Sequence, residues 1–102
     1  MMRGRRRRGR YGRMPTPVYI NHTATIKAFN PEPETSLEPV QIEPAELEAI
    51  RLTDLENLNQ EDAGAKMGVS RGTIWRLLQS GRTKIALAIV EGRRLEIRES
   101  PE

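Results

Sequence analysis

The chain has no cysteine and a single histidine, His22. The first absence removes a disulfide scaffold, a thiolate metal site and any thiol nucleophile. The second leaves almost no material for a His-rich metal site or a Ser-His-Asp triad. No apolar run approaches the roughly 18–20 residues that a membrane helix needs. The basic start is not followed by the apolar stretch of a secretory signal. The Arg/Gly opening has no lysine and no preceding strand, so it is not a phosphate-binding loop. Hydrophobic residues make up only 36% of the 102 positions and charged residues 30%. Such a chain cannot surround one thick core, and part of it must be arm or tail. These absences predict a small soluble cytoplasmic protein that is not an enzyme and has no metal or other cofactor.

What is present is charge, and it comes in blocks. The net charge is only +3. Residues 1–30 hold seven arginines and Lys27 with no acid, whereas residues 31–62 hold ten acids against Arg51 alone. Residues 63–90 hold Lys66, Arg71, Arg76, Arg82 and Lys84, again with no acid. Two basic segments therefore flank an acidic one, which points to an anionic partner more sharply than the net charge does. Residues 1–14 form an Arg/Gly-rich arm that can bury nothing and is expected to be disordered when free. Its arginines, Arg3, Arg5, Arg6, Arg7, Arg8, Arg10 and Arg13, are suited to lie along phosphates or enter a minor groove.

Residues 15–43 read as an extended Pro-rich segment. Six of the seven prolines fall between Pro15 and Pro44. Val18–Ile20, Thr25–Phe29 and Val40–Ile42 have strand-like composition. Asn21-His22 offers a weak turn between the first two, with His22 an exposed loop residue. Residues 30–34 are a stiff acidic linker.

From Pro44 the apolar period changes to about 3.6 and predicts a helical domain over 44–92. Pro44 suits a first helical position, and Leu47, Ile50, Leu55 and Leu58 suggest one stripe on a helix of about 44–56. Asn59 reads as an N-cap with Asp62 at the capping-box position. A short helix over 60–67 follows, and Gly68 supplies its turn. Ser70 caps a third helix, 71–91, whose apolar face is Ile74, Leu77, Leu78, Gly81, Ile85, Ala88 and Ile89. Gly92 stops it after roughly 30 Å. The tail, 93–102, alternates through Leu95 and Ile97 and predicts a short strand paired with Val40–Ile42.

Residues 60–79 fit a helix-turn-helix. Counted from Gln60, the core-facing fourth, eighth, tenth, fifteenth and eighteenth places hold Ala63, Met67, Val69, Ile74 and Leu77. Gly64 stands where the helices must cross closely, and Gly68 stands in the turn. The predicted fold is thus mainly α, a three-helix helix-turn-helix domain with short flanking strands and a basic arm. The outward face carries Arg71, Gly72, Thr73, Trp75, Arg76, Gln79 and Thr83. In a major groove, Arg71 and Arg76 can bond guanine and Gln79 adenine. Gly72 and Trp75 belong to the same base-facing set, although the first expectation for Trp75 is packing beneath the arm as core, ahead of contact with a thymine methyl or sugar. Ser70, Thr73, Lys66, Arg82 and Lys84 are placed for phosphates.

The stretch ELEAIRLTDLENLNQEDAGAKMGVSRGTIWRLLQSGRTKIALAIVEGR resembles region four of bacterial sigma factors. It is similar, more closely still, to a family of small uncharacterised predicted DNA-binding proteins of bacteria and archaea. The resemblance covers about residues 13–98. It implies DNA binding, transcription regulation and a nucleoid-associated location. Many members carry cysteines near the start, which this chain lacks, and the Arg-Gly opening here is longer and more basic.

Two alternative readings of the same residues are an RNA-binding or ribosome-associated protein that uses the arm, and a module that contacts RNA polymerase or a regulator through residues 32–62. Assembly is a further expectation. Leu87 and Val90 lie off the main apolar face and, with Leu95 and Ile97, need cover from the chain's own strands or from a second subunit in a homodimer.

Overall fold

The computed structural model describes residues 18–22 and 25–99; the arginine arm lies outside them. Three helices and a three-stranded sheet make a mainly helical fold. In chain order the elements are β1 (Ala28–Phe29), β2 (Val40–Ile42), α1 (Pro44–Ile50) continued by a π-helical turn (Arg51–Leu55), α2 (Gln60–Met67), α3 (Arg71–Glu91) and β3 (Leu95–Ile97).

The expected pairing of the tail with Val40–Ile42 is present. β2 and β3 run parallel, with Val40 opposite Leu95 and Ile42 opposite Ile97. A parallel pair needs a long crossover, and here the whole helical unit between Glu43 and Arg94 is that crossover. β1 adds antiparallel to the other edge of β3, giving the order β1-β3-β2.

Local chemistry places the helix ends. Glu43 and Glu46 form a reciprocal capping box ahead of Pro44. The Asn59 side chain accepts the Asp62 N–H and the Ser70 side chain accepts the Thr73 N–H. Gly68 and Gly92 end α2 and α3 in the left-handed region, at φ 72° and 66°. An L side chain there would clash with its own backbone. The core joins Ala49 and Leu52 to Ala63, Met67, Ile74 and Leu78, and Val69 and Leu77 pack half-buried against it.

Three expectations need correction. The helix from Pro44 does not run regularly to 56. From Arg51 it widens, closed by the Glu56 N–H to the Arg51 carbonyl at 3.0 Å. Ala49 and Leu52 face the core, and the wide turn carries Leu55 out to 74% exposure. The second correction concerns Ile89, 75% exposed instead of buried. α3 has 21 residues and α1 only seven, so the last turns of α3 outrun their cover; Ala88 stays buried and Leu87 half-buried, while Ile89 and Val90 stand out. Third, Val18–Ile20 is not a strand and makes no hairpin with 25–29. Its backbone donors go elsewhere: the Tyr19 N–H to the Met67 carbonyl at 2.9 Å, and the Asn21 N–H to the Glu48 carboxylate at 3.0 Å.

Candidate nucleic-acid interface

α2, the turn Gly68-Val69-Ser70 and α3 meet at close quarters. A Cβ built on Gly64 would stand 2.7 Å from the Val69 carbonyl oxygen. That is inside any tolerable contact, so the crossing needs the bare backbone of glycine at this place. With Ala63, Met67 and Ile74 fully buried beneath it, the start of α3 is fixed rigidly to α2.

The opposite side of α3 is open. Arg71, Gly72, Trp75, Arg76 and Gln79 are all exposed, Trp75 at 53%. At 3.6 residues per turn these five span an arc of about 140°, opposite Ile74, Leu78 and Gly81. The structure therefore brings together all five residues assigned from sequence to base contacts. Trp75 does not pack as core within the described residues. Ser70 Oγ lies 2.9 Å from Thr73 Oγ1, and Arg76 Nη2 reaches Thr73 Oγ1 at 3.4 Å. One polar cluster thus organises the first turn. Lys66 is exposed at the end of α2, on the near side of the turn.

The two later cations differ. Arg82 grips Asp54 through Nη2 at 2.7 Å and Nε at 3.3 Å, on the surface. Lys84 turns inward: its Nζ lies 2.9 Å from both carboxylate oxygens of Glu46, whose side chain is 6% exposed. Ser80 also donates to Glu46. Lys84 is therefore committed to the joint between α1 and α3, and Arg82 reaches a phosphate only by leaving Asp54. Counting charges along α3 alone missed both carboxylates, which arrive from α1 and its wide turn.

Burial alone would raise the pKa of Glu46. The Glu43 backbone N–H, the Ser80 hydroxyl and the Lys84 ammonium outweigh it and hold the carboxyl below the ordinary glutamate value. Glu48 behaves alike. Its burial is outweighed by the Arg51 guanidinium, at 2.9 Å through both Nε and Nη2, and by the Asn21 N–H. These pairs fasten α1, and the acids that reach the edge of the exposed stripe are Asp54 and Glu61.

Beside that stripe lies an open polar hollow of about 620 Å³, lined by Asp54, Asn59, Gln60, Glu61, Arg71 and Arg82 among others, with Thr53 at its edge. Thr53 and Gln60 were not singled out from sequence, and Asn59 was read only as a cap. The cap was the available signal, because it starts α2 at the edge of the same surface. His22 is exposed, as expected. Among the described residues no group of His, Cys, Asp or Glu is arranged to hold a metal ion, and no helix is long and apolar enough to cross a membrane.

Comparison with known proteins gives a family without an assigned activity. No solved structure matches. A UPF0251 protein of Archaeoglobus fulgidus is 45% identical over 91 residues, 89% of this chain and 87% of that one. One of Methanosarcina acetivorans is 42% identical over 89 residues, 85% of this chain and 80% of the relative. A bacterial UPF0251 protein, from Moorella thermoacetica, is 51% identical over 89 residues, 82% of this chain and 60% of its own length. The family model described as "Protein of unknown function DUF134" matches residues 1–100, and the chain belongs to that family, which has members in archaea and bacteria.

Proposed function

We propose that the chain binds double-stranded DNA as a helix-turn-helix protein of sigma region-four type and acts in transcription regulation. The observation that carries this reading is the exposed stripe Arg71, Gly72, Trp75, Arg76 and Gln79 on the first half of α3. It is held rigid by the glycine crossing at Gly64 and carries no carboxylate. A helix face exposed only to water ordinarily mixes both signs of charge, whereas a face that meets phosphates and base edges excludes acids. Gly72 adds support. A Cβ there would meet nothing closer than 3.9 Å, so packing does not require glycine, and glycine costs a helix about 1 kcal/mol relative to alanine. Close approach of a partner's backbone accounts for it.

In this reading α3 enters the major groove. Arg71 and Arg76 read guanine, and Gln79 reads adenine. Ser70, Thr73 and Lys66 hold the flanking phosphates. The arm neutralises further phosphates, so deleting residues 1–13 should lower the salt slope of binding by about 0.9 for each phosphate it had neutralised. Selection of bound sequences from random duplex DNA, at stated salt, is the test. Recovery of one short motif supports the reading. Recovery of no motif, with structured RNA competing better than duplex, overturns it in favour of RNA.

A further inference from the structure

Arg82 is exposed on α3 but already holds an anion. Of the three arginines exposed along that helix, Arg71 and Arg76 form no ion pair among the described residues. Arg82 grips Asp54 side-on, through Nη2 at 2.7 Å and Nε at 3.3 Å. The same fork is what arginine offers a phosphate. The pair stands in the open hollow that also takes in Arg71, Gln60 and Glu61. Arg82 follows Arg71 by eleven residues, which is three turns and about 16 Å along the axis, within about 20° of the same edge. A major groove is about 12 Å wide and about 8.5 Å deep. A helix whose first turn reaches base edges has therefore left the floor of the groove by Arg82 and passes its wall, which is phosphate.

We propose that the hollow at Arg82 is a site for a backbone phosphate of DNA, that the Asp54 carboxylate takes the place of that phosphate in the free protein, and that Asp54 thereby sets the affinity for duplex. This rests on the DNA-binding reading above. Binding exchanges one anion for another on the same guanidinium. Both members of the pair are about half exposed, and ion pairs so exposed are weak, so a phosphate displaces the carboxylate. The exchange is opposed all the same. The displaced carboxylate stays on the turn that follows α1, beside the incoming phosphate, and the two repel. Asp54 therefore subtracts from the affinity that Arg82 adds. The carboxylate comes from the wide turn at 51–55, the irregular part of the first helical stretch. Glu61 lines the same hollow but forms no ion pair among the described residues. It repels a phosphate without competing for the guanidinium, and that difference separates a latch from a mere like charge.

The experiment uses the full chain with its selected site and with a random duplex, at several salt concentrations. Asp54→Ala should bind both duplexes more tightly, by about fivefold near 0.1 M salt, and steepen the salt slope by about 0.9, the mark of one added phosphate contact. Its melting temperature should stay close to that of wild type, because the pair lies on the surface. Asp54→Asn, which keeps the shape and removes the charge, should move in the same direction. In a chain that already carries Arg82→Ala, the gain from Asp54→Ala should shrink to that of Glu61→Ala, under about twofold, since only screened repulsion is then relieved. A gain of equal size with and without Arg82 would reduce Asp54 to a repelling charge and overturn the inference. A loss of affinity in Asp54→Ala would overturn it too, by making Asp54 a support that aims Arg82. Either result leaves DNA binding standing. A wild type that selects no motif and prefers structured RNA to duplex overturns both.

Discussion

Arg82 and Lys84 stand two residues apart on α3, and each meets a carboxylate from the first helical stretch, but their surroundings differ. The Arg82–Asp54 pair is 49% and 41% exposed, and surface pairs contribute at most about 1 kcal/mol. Lys84 answers a carboxylate that is nearly buried, and removing one partner of such a pair leaves the other charge uncompensated. Arg82→Ala should therefore cost under about 1 kcal/mol in urea denaturation. Lys84→Ala should cost about 2–3 kcal/mol, less than a fully buried pair because the ammonium itself is partly hydrated. The same carboxylates set the pH response. Glu46 and Glu48 both ionise more readily in the fold than in the open chain. Their stabilisation is complete above the ordinary glutamate range, near pH 4.5, and is lost as pH falls through the lower folded values. The melting temperature should drop on acidification through that window, and Glu46→Gln should be less stable at pH 7 with a shallower drop. Arg76 belongs to the other side of α3. Arg76→Ala should leave stability unchanged and weaken a selected site by about 1–3 kcal/mol, relaxing one base position. Equal weakening on random duplex would make it a phosphate contact only.

Among the elements, the α2–α3 crossing has the least freedom. Gly64→Ala drives a Cβ into a carbonyl oxygen of the backbone at 2.7 Å, which cannot swing aside, so a loss of about 2–3 kcal/mol is expected. At Gly81 the nearest obstacle is Ile50 Cδ1 at 2.8 Å, the far end of a flexible side chain, with Glu46 Cβ behind it at 3.1 Å. Gly81→Ala also gains about 1 kcal/mol of helix propensity, so it should fall within about 1 kcal/mol of wild type. Denaturation midpoints at constant slope compare the two. The crossing was legible in the sequence because its determinants are local. Asn59, Gly68, Ser70 and Gly92 each satisfy or end a helix within a few residues of themselves, and the buried and exposed sides of α3 follow from its period as far as Ala88, beyond which Ile89 is exposed. The widened turn at 51–55 has no such signal, since no residue type specifies it, and Leu55 was misplaced with it. Val18-Tyr19-Ile20 has strand composition, but its donors answer a helix carbonyl and a carboxylate far along the chain. At the candidate site the exposed stripe was legible. The partners of Lys84 and Arg82, 38 and 28 residues away, were not, because charge counted along one helix does not see what packs against it.

For the whole molecule the open question is what meets the far end of α3. Of the four residues expected at a dimer contact, Leu95 and Ile97 lie in β3, half-buried and paired on both sides, and Leu87 is half-buried as well. Val90 is 82% exposed, and Ile89 and Phe29 are exposed as well. Next to them runs an apolar groove of about 520 Å³ between the sheet and α3, lined by Phe29, Ile42, Leu47, Ile85, Ala88 and Ile89 among others. Phe29 and Ile89 both line that hollow and project from it, whereas Val90 does not line it and lies about 160° round the helix from Ala88, which does. A two-fold contact needs such a face, because each copy must offer both the knob and the hole. The rim holds Glu91 and Arg93 side by side, so two copies related by a two-fold axis can exchange opposite charges. We propose a second copy as the occupant of this face, with Ile89 and Phe29 in place of Leu95 and Ile97. Such a dimer would carry two α3 helices to half-sites about one helical turn apart, from which a short reading helix gains specificity. In analytical ultracentrifugation at tens of micromolar, wild type should sediment at about twice its 11.6 kDa. Ile89→Glu, on a side chain 75% exposed at the groove, should reduce it to monomer at an unchanged melting temperature. The monomeric variant should keep its affinity for a single half-site and forgo the gain from the second. A wild type that sediments as a monomer would rule out the pairing. A dimer indifferent to Ile89→Glu would place the contact on another face.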